Sequence, residues 1–367
     1  MFRVIFVSVC TLMHIYVVFR STQAQIPFTD KVLPFKPTIA AGVILWIFLA
    51  MGSSFGRDGK GFFAIISEFM GMNWLGALFL LFVSFLAVDV ITVFGFLMPK
   101  LTPSIRGAAF ILGLALSMIG LFQGLRSPLI EKYEVIMPDL PKSMDGTILA
   151  VMTDTHLGAL IGENWLKARI AQVNAAKPDL VALVGDIFEG HGEDEKKFLN
   201  MFDGLTAPMG IWYVLGNHEF YGGGDLNRFK NGSLRLLRDE WVEASPGLVI
   251  AGVDDLTVRR RLEGAGDSVS KTLKNRPEGA TILLSHTPWL VESAAREKVG
   301  LMLSGHTHAG QIWPFTYLVK RRYPYLEGRY DTGGMTLIVC RGTGTWGPRM
   351  RLWKPGAILM ITLRAEA

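Results

Sequence analysis

Apolar runs in this chain fall into two kinds, and the change comes near residue 126. Before that point the runs are long and nearly free of charge, and they cover 4–19, 38–55, 71–98 and 107–125. A helix needs about 20 mostly apolar residues to cross the hydrocarbon core of a bilayer, within a range of roughly 17 to 25. The pattern therefore predicts a transmembrane helical region over residues 1–126, with about four helices.

The first of these runs has an alternative interpretation. Arg3 precedes it and the small residues of 21–25 follow it, which is also the arrangement of a cleaved secretory signal. Arg20 separates the run from those small residues and suits the flank of a membrane span better. We expect a retained helix, and three spans is the alternative. Lys and Arg are balanced at the two sets of span ends, so the positive-inside rule assigns no orientation.

Beyond residue 126 the chain is organised differently. Residues 127–146 are polar and punctuated by prolines, which predicts a connector. Short apolar runs then alternate with amphipathic stretches, which is typical of strands alternating with helices. Strands are predicted at 147–153, 180–184, 210–215, 248–253, 281–284, 300–303, 335–339 and 357–363, and helices at 163–176 and 193–202. This order favours an α/β domain over 147–367 with two packed sheets and flanking helices, an αββα sandwich.

Composition and charge narrow the partners. The chain is 50% hydrophobic and carries a net charge of +5, with no Arg/Lys stripe interleaved with aromatic residues. These features predict a lipid bilayer as a partner and no nucleic acid. Cys10 and Cys340 lie in different parts of the chain, so neither part can form an internal disulfide, which is compatible with a cytoplasmic domain.

Polar side chains suited to metal binding follow five of the apolar runs. The candidate ligands are Asp154, His156, Asp186, Asn217, His286, His306 and His308. Oxygen from Asp and Asn together with nitrogen from His suits Mn, Fe, Zn or Co better than Ca or Mg. Seven ligands are too many for one tetrahedral zinc and fit two ions that share a carboxylate. The sequence therefore predicts two divalent transition-metal ions, with Mn as the first expectation.

These motifs resemble, in their order along the chain, those of the calcineurin-like metallophosphoesterase superfamily. The motifs are Asp154-Thr-His156, Gly185-Asp186, Gly216-Asn-His-Glu219, Ser285-His286 and Gly305-His-Thr-His308. The stretch that follows Gly305, with Arg349-Met-Arg351, is similar to the membrane-anchored bacterial phosphodiesterase branch. That similarity implies a multi-pass protein of the bacterial inner membrane.

The resemblance also implies roles for individual residues. Asp154, His156 and His308 would hold one metal. Asn217, His286 and His306 would hold the other, and Asp186 would bridge the two. His218 would give a proton to the leaving oxygen. Independently of the resemblance, we expect Glu219, its neighbour in the chain, to orient that imidazole. Apart from the resemblance, guanidinium groups can bind phosphate bidentately, so we expect Arg349 and Arg351 to bind a substrate phosphate, with a solvated strand face as an equal alternative.

The expected activity is hydrolysis of a phosphodiester or pyrophosphate, in a lipid or lipid-linked substrate, by hydroxide formed at the metals. One alternative is a phosphoesterase-fold binding or scaffold protein without turnover, and another is a transporter or channel gated by the domain. Asp89, inside the third apolar run, is costly in lipid. We expect a hydrogen bond to a bundle residue such as Thr92, with contact to a substrate headgroup or a proton path as the alternative.

Overall fold

The structure is a computed structural model, and it describes residues 2–52, 61–189, 195–223, 225–230, 233–264 and 266–366. The chain divides into two compact units. The first comprises Met1–Arg126 together with Gly347–Trp353, and the second comprises Ser127–Trp346 together with Lys354–Ala367.

The first unit is helical. Its described helices are α1 (Phe2–Ser21), α2 (Phe35–Met51), α3 (Phe62–Thr92) and α4 (Thr102–Leu125). Among these, α1, α3 and α4 are long and apolar enough to cross a membrane, whereas α2 is apolar but has 17 residues. The sequence pattern counted four spans, and its alternative of three discounted α1. By length, the helix that falls short is α2.

An ion-pair cluster fixes the polar interior of this unit. The Asp89 carboxylate is fully buried and accepts a hydrogen bond of 2.7 Å from the Tyr16 hydroxyl. Arg20 and Arg106 approach its two oxygens to 2.6 and 2.8 Å. The expected partner, Thr92, instead donates its hydroxyl to the carbonyl of Val88. The expectation for Thr92 is therefore wrong, because two arginines offer the buried carboxylate charge as well as hydrogen bonds.

The segment Gly347–Trp353 belongs to the helical unit because it packs along α4. The amide of Arg351 donates to the carbonyl of Gly120 at 2.8 Å, and the amide of Trp353 donates to Gln123 Oε1 at 2.8 Å. A side chain at Gly124 would collide with the backbone of Met350, whose Cα lies 2.7 Å from the position of a Cβ. The glycine is what allows this close approach.

The second unit contains two six-stranded sheets. In spatial order the first sheet consists of β1 (Leu129–Met137), β12 (Ala357–Ala365), β2 (Ile148–Met152), β3 (Leu180–Val184), β4 (Ile211–Val214) and β5 (Leu234–Leu236). The second consists of β10 (Gly328–Thr332), β11 (Met335–Val339), β9 (Leu301–Ser304), β8 (Ala280–Leu284), β7 (Leu248–Gly252) and β6 (Glu240–Ser245). Strands β2 to β5 are mutually parallel, and so are β7, β8, β9 and β11.

Three apolar layers hold this unit together. The two sheets face each other across a buried core that includes Val151, Val214, Ile282 and Ile338. The outer face of the first sheet packs on α5 (Glu163–Ala175) and α6 (Glu195–Met201). The outer face of the second packs on α8 (Leu256–Glu263), α9 (Ser268–Leu273) and α10 (Val291–Arg296). Two further short helices are α7 (Asn217–Tyr221) and α11 (Thr316–Arg322). The predicted αββα sandwich is confirmed.

The segment expected to be a connector differs from the prediction. Residues 129–137 form β1, which pairs in parallel with β12 over nine residues. Most of its side chains are exposed or half-buried, so its sequence lacks the apolar run that marks the central strands. Residues 193 and 194, the start of one predicted helix, lie outside the described residues.

Candidate metal centre

The candidate ligands meet where the central strands of both sheets end. Asp154 follows β2, Asp186 follows β3 and Asn217 begins α7 just after β4. From the other sheet, His286 follows β8 and His306 follows β9. Because the carboxyl ends of parallel strands lie along one edge of a sheet, two such edges supply the whole set.

Backbone geometry, more than strand alternation, aims these side chains. Asp154, His156, Asp186, His306 and His308 all have φ between 48° and 70°, in the left-handed region. A residue other than glycine pays of order 1–3 kcal/mol for such a conformation. Asp154 and His156 are two residues apart, a spacing that puts side chains on the same side of a regular extended strand. They do converge, but through a sharp turn after the strand.

The first cluster comprises Asp154, His156 and His308. The two imidazole Nε2 atoms lie 3.1 Å apart, and His308 Nε2 lies 3.3 Å from Asp154 Oδ1. His156 Nδ1 contacts Glu189 Oε2 at 2.8 Å, which leaves Nε2 for a metal. All three residues are buried.

The second cluster comprises Asp186, His286 and His306. His286 Nε2 lies 3.1 Å from Asp186 Oδ2 and 3.3 Å from His306 Nδ1. His286 Nδ1 is 2.8 Å from the carbonyl of Val184, so it carries the proton and Nε2 is free to act as a ligand. His306 Nε2 is 2.8 Å from the hydroxyl of Tyr323. The clusters are adjacent, since His286 Nε2 is also 4.0 Å from Asp154 Oδ1.

A buried acceptor shows that this site fits metal ions. Asn217 Oδ1 is buried, and in the part of the chain that the structure describes it has no hydrogen-bond partner. Such an atom costs about 1–3 kcal/mol unless something replaces its lost hydration. A cation does so. Two pairs of imidazole nitrogens, one of His156 and His308 and one of His286 and His306, also face each other at 3.1 and 3.3 Å, and each pair could share a cation. The donor set fits two divalent ions.

The charges at the site favour the ionised forms of the two carboxylates, which are the forms that bind metal ions. Burial would raise the pKa of Asp154, but the nearby His308 and His286 rings hold it below its usual range. The pKa of Asp186 is lowered in the same way, against the effect of burial, chiefly by His286. Burial, together with neighbouring His286, lowers the pKa of His306. Both carboxylates are therefore ionised and able to bind cations at neutral pH.

Glu219 has a different role from the one expected. Its carboxylate accepts hydrogen bonds from the amides of Gly216, Asp186, Ile187 and Phe188, at 2.7 to 3.0 Å. It therefore holds the loop after β3 in place and does not orient the imidazole of His218. Burial, reinforced by Asp186, raises its pKa to about 7. A side chain at Gly216 would collide with Asp186, so glycine is required beside this carboxylate.

His218 lies beside the first cluster, with its ring centroid 4.6 Å from that of His156. Its Nδ1 is 3.3 Å from the carbonyl of Glu189, and its amide donates to Asp186 Oδ1 at 2.8 Å. The carbonyl of Glu189 accordingly orients this imidazole. Glu189 and Tyr323 had no expected role at the metals, and each contacts a candidate ligand or the expected proton donor.

The arginines expected to bind substrate are placed in the helical unit. Arg349 and Arg351 are both buried, within the segment that packs along α4. Burial lowers the pKa of Arg349 to about 10. They are not a solvated strand face, so that alternative is wrong, and their contact with a substrate phosphate stays a prediction.

Sequence comparisons identify the domain that carries these clusters. The model of the calcineurin-like phosphoesterase family matches residues 148–310. A metallophosphoesterase of Campylobacter jejuni is 34% identical over 66% of this chain and 65% of its own length. One of Helicobacter pylori is 36% identical over 69% of this chain and 70% of its own. Both are named as uncharacterized.

A third relative comes from Danio rerio and is named a transmembrane protein with metallophosphoesterase domain. It is 30% identical over 70% of this chain and 62% of its own length. The chain thus spans about two thirds of the curated relatives it matches. The family motif, the shared sequence and the paired clusters agree, and the chain belongs to the calcineurin-like metallophosphoesterases.

Proposed function

We propose that this protein is a membrane-anchored, metal-dependent phosphoesterase that hydrolyses a phosphodiester or pyrophosphate bond. The observation that carries the proposal is the pair of adjacent ligand clusters, with Asp154 Oδ1 in contact distance of His308 and near His286. Two ions bound there would supply a hydroxide nucleophile at neutral pH and offset the charge of the phosphate. Mn is the metal we propose, because mixed carboxylate, amide and imidazole ligands suit it.

The residues around the clusters then account for the rest of the reaction. Hydroxide adds to phosphorus, the bond from phosphorus to the leaving oxygen breaks, and that oxygen needs a proton. His218 supplies it: its Nδ1 faces the carbonyl of Glu189, so Nε2 is the nitrogen left for the substrate. Asp186 Oδ1 accepts a hydrogen bond from the backbone amide of His218, and Asp186 Oδ2 contacts His286. The proposed proton donor is therefore held next to the metal site.

A lipid or lipid-linked substrate is supported by the helical unit. Helices α1, α3 and α4 are each long and apolar enough to cross a membrane. Relatives from Danio rerio and Bos taurus are named transmembrane proteins with a metallophosphoesterase domain. An enzyme of soluble substrates has no need of such helices, so we propose a multi-pass protein of the bacterial inner membrane whose substrate lies in or at the bilayer.

The test uses the full chain in detergent, loaded with Mn, and bis-p-nitrophenyl phosphate as substrate. We expect hydrolysis by the wild type and none by Asp186→Asn. The matched control is Asp331→Asn, which removes an exposed carboxylate paired with Arg329, and it should hydrolyse at the wild-type rate. Equal activity of the Asp186 variant would overturn the mechanism. A wild type that binds two ions but cleaves no phosphoester would support the scaffold alternative.

A further inference from the structure

A cavity of about 500 Å³ lies in the second unit, between α8, α10 and the turn after α11. Its lining includes Arg260, Asp267, Trp289, Glu292 and Arg322. None of the metal ligands lines it, and the reaction described above does not use it.

Two guanidinium groups flank the indole in this cavity. The Arg322 guanidinium lies 4.8 Å and that of Arg260 lies 5.5 Å from the ring centre of Trp289. Both arginines are exposed, and in the described ranges neither forms an ion pair. Contact with the indole face holds each cation in place without neutralising it. The pair is therefore available to an anion.

The acidic residues of the lining do not cancel these charges. The charge of Asp267 is offset from outside the lining, since its Oδ2 lies 3.9 Å from the Arg296 guanidinium, and it also accepts from the amide of Ser270 at 3.0 Å and from the hydroxyl of Ser293 at 2.6 Å. Its pKa is lowered, against the effect of burial, by these hydrogen bonds. A third arginine of the lining, Arg259, is paired with Asp239, so Glu292 is the one remaining carboxylate among the described residues of the lining, against two arginines. The cavity is left with net positive character.

Aromatic contacts place this cavity next to the metal centre. The ring of Tyr323 stacks on Trp289 with centroids 5.9 Å apart, and its other neighbour is the ring of His306 at 4.9 Å. The Tyr323 hydroxyl also contacts His306 Nε2. A substrate whose scissile phosphate is at the metals would thus reach the cavity across two ring-to-ring steps.

We propose that the cavity binds a second phosphate of the substrate, on Arg260 and Arg322, and so selects diesters in which a linker separates two phosphates. The proposal rests on the proposed function of the metal centre. Guanidinium groups suit phosphate because their donors match its oxygens in pairs. A directly bonded pyrophosphate would not reach the cavity, because its second phosphorus would still lie at the metal centre.

The experiment measures competitive inhibition of bis-p-nitrophenyl phosphate hydrolysis by the full chain with Mn. The soluble probes are bis(glycerophospho)glycerol, which has two phosphates, and glycerophosphoglycerol, which has one. Cardiolipin and phosphatidylglycerol in mixed micelles form the matched lipid pair. We expect the two-phosphate member to inhibit more strongly in at least one pair. Stronger inhibition by the two-phosphate member in the lipid pair alone would identify a lipid headgroup as the source. The same difference in both pairs would show that the phosphates alone are recognised.

The variants are Arg260→Gln with Arg322→Gln, and the control is Arg321→Gln, an exposed neighbour on α11 that does not line the cavity. In the double variant, the inhibition constant of the two-phosphate probe should rise about tenfold more than the KM of bis-p-nitrophenyl phosphate changes. The inhibition constant of the one-phosphate probe should show no such rise. Equal inhibition by both probes, or equal loss for both, would overturn the proposal. If the wild type failed to hydrolyse bis-p-nitrophenyl phosphate, the proposed function itself would fail.

Discussion

The Glu189 carboxylate contacts a metal ligand from outside the ligand set. Its Oε2 lies 2.8 Å from His156 Nδ1, and its backbone carbonyl lies 3.3 Å from His218 Nδ1. A partner of this kind fixes which imidazole nitrogen faces the metal and how the ring is turned. One residue thus positions both a candidate ligand, through its side chain, and the proposed proton donor, through its backbone.

Replacing this carboxylate should weaken metal binding selectively. We expect Glu189→Ala to reduce Mn affinity by roughly 10- to 100-fold, as loss of such a partner does elsewhere. Glu189→Gln keeps an acceptor oxygen and should lose less. Titrating hydrolysis against Mn concentration measures the effect. At saturating Mn the rate should recover, because the carbonyl that orients His218 is still present, and a rate that did not recover would argue against a positioning role.

His218 should matter in proportion to the need of the leaving group for a proton. p-Nitrophenolate is a stable anion and leaves without one, whereas an alkoxide does not. We expect His218→Asn to slow hydrolysis of an alkyl phosphodiester by about 10²- to 10⁴-fold and to slow that of bis-p-nitrophenyl phosphate much less. Comparing kcat for the two substrates in the wild type and the variant gives the result. Equal losses on both would assign His218 to metal binding.

The sequence pattern singles out the candidate ligands that the structure brings together, but not the groups that position them. Asp154, Asp186 and His286 each end an apolar run, and this position can be recognised from local pattern alone. Tyr323 lies in a loop 17 residues from the histidine that it contacts. Nothing local marks such a residue, because its contact arises only when β9 and the end of α11 come together in the fold.

Among the elements, burial decided which could be recognised. Strands β3, β8 and β11 are buried at every position and read as continuous apolar runs, as parallel strands covered on both faces do. Strands β1 and β10 lie at sheet edges. Strand β10 alternates between exposed and half-buried positions, and β1 is exposed or half-buried except at Val135 and Met137, so their residues resemble loops. The short helices α8 to α11 gave no periodic signal, since one or two turns are too few to show one.

Two glycines of α4 provide a matched test of packing within the helical unit. A methyl group at Gly124 would collide with the backbone of Arg349 and Met350, whereas at Gly120 its nearest neighbour is the flexible end of the Met350 side chain at 3.3 Å. Gly124→Ala should cost about 1–3 kcal/mol, as overpacking does. Gly120→Ala should cost little. Thermal unfolding in detergent compares them, and equal midpoints would show that the segment does not pack tightly on α4.

For the whole molecule, the metal centre should link ion binding to folding. Strands from both sheets contribute ligands, so ions bound there stabilise the folded state by mass action. With Mn at a hundredfold excess over its dissociation constant, removal by a chelator should cost about 2.7 kcal/mol. The unfolding midpoint should fall on chelation and return when Mn is added back. Asp186→Asn should show a smaller shift, and an unchanged wild-type midpoint would contradict a resident ion.

The order of segments along the chain predicted a helical part followed by an α/β part, but it did not predict every residue that belongs to each part. A change from long to short apolar runs near residue 126 is visible in the sequence, and the structure divides the chain at Arg126. The return of Gly347–Trp353 to the helical unit is not visible, because seven residues between two strands of the other unit look like an ordinary loop. The structure distinguishes this segment from a loop by the burial of Met350 and Leu352, each of which is 1% exposed.

The packing of Gly347–Trp353 on α4 limits how the metallophosphoesterase domain can be isolated. Cutting after Arg126 would discard α4 yet keep the segment that rests on it, and would leave Met350, Leu352 and two arginines without their surroundings. Newly bared apolar side chains of this kind promote self-association in water. A water-soluble fragment would need a short polar loop in place of 347–353 as well as the cut. Self-association of a simple truncation would therefore not show whether the metallophosphoesterase domain folds by itself.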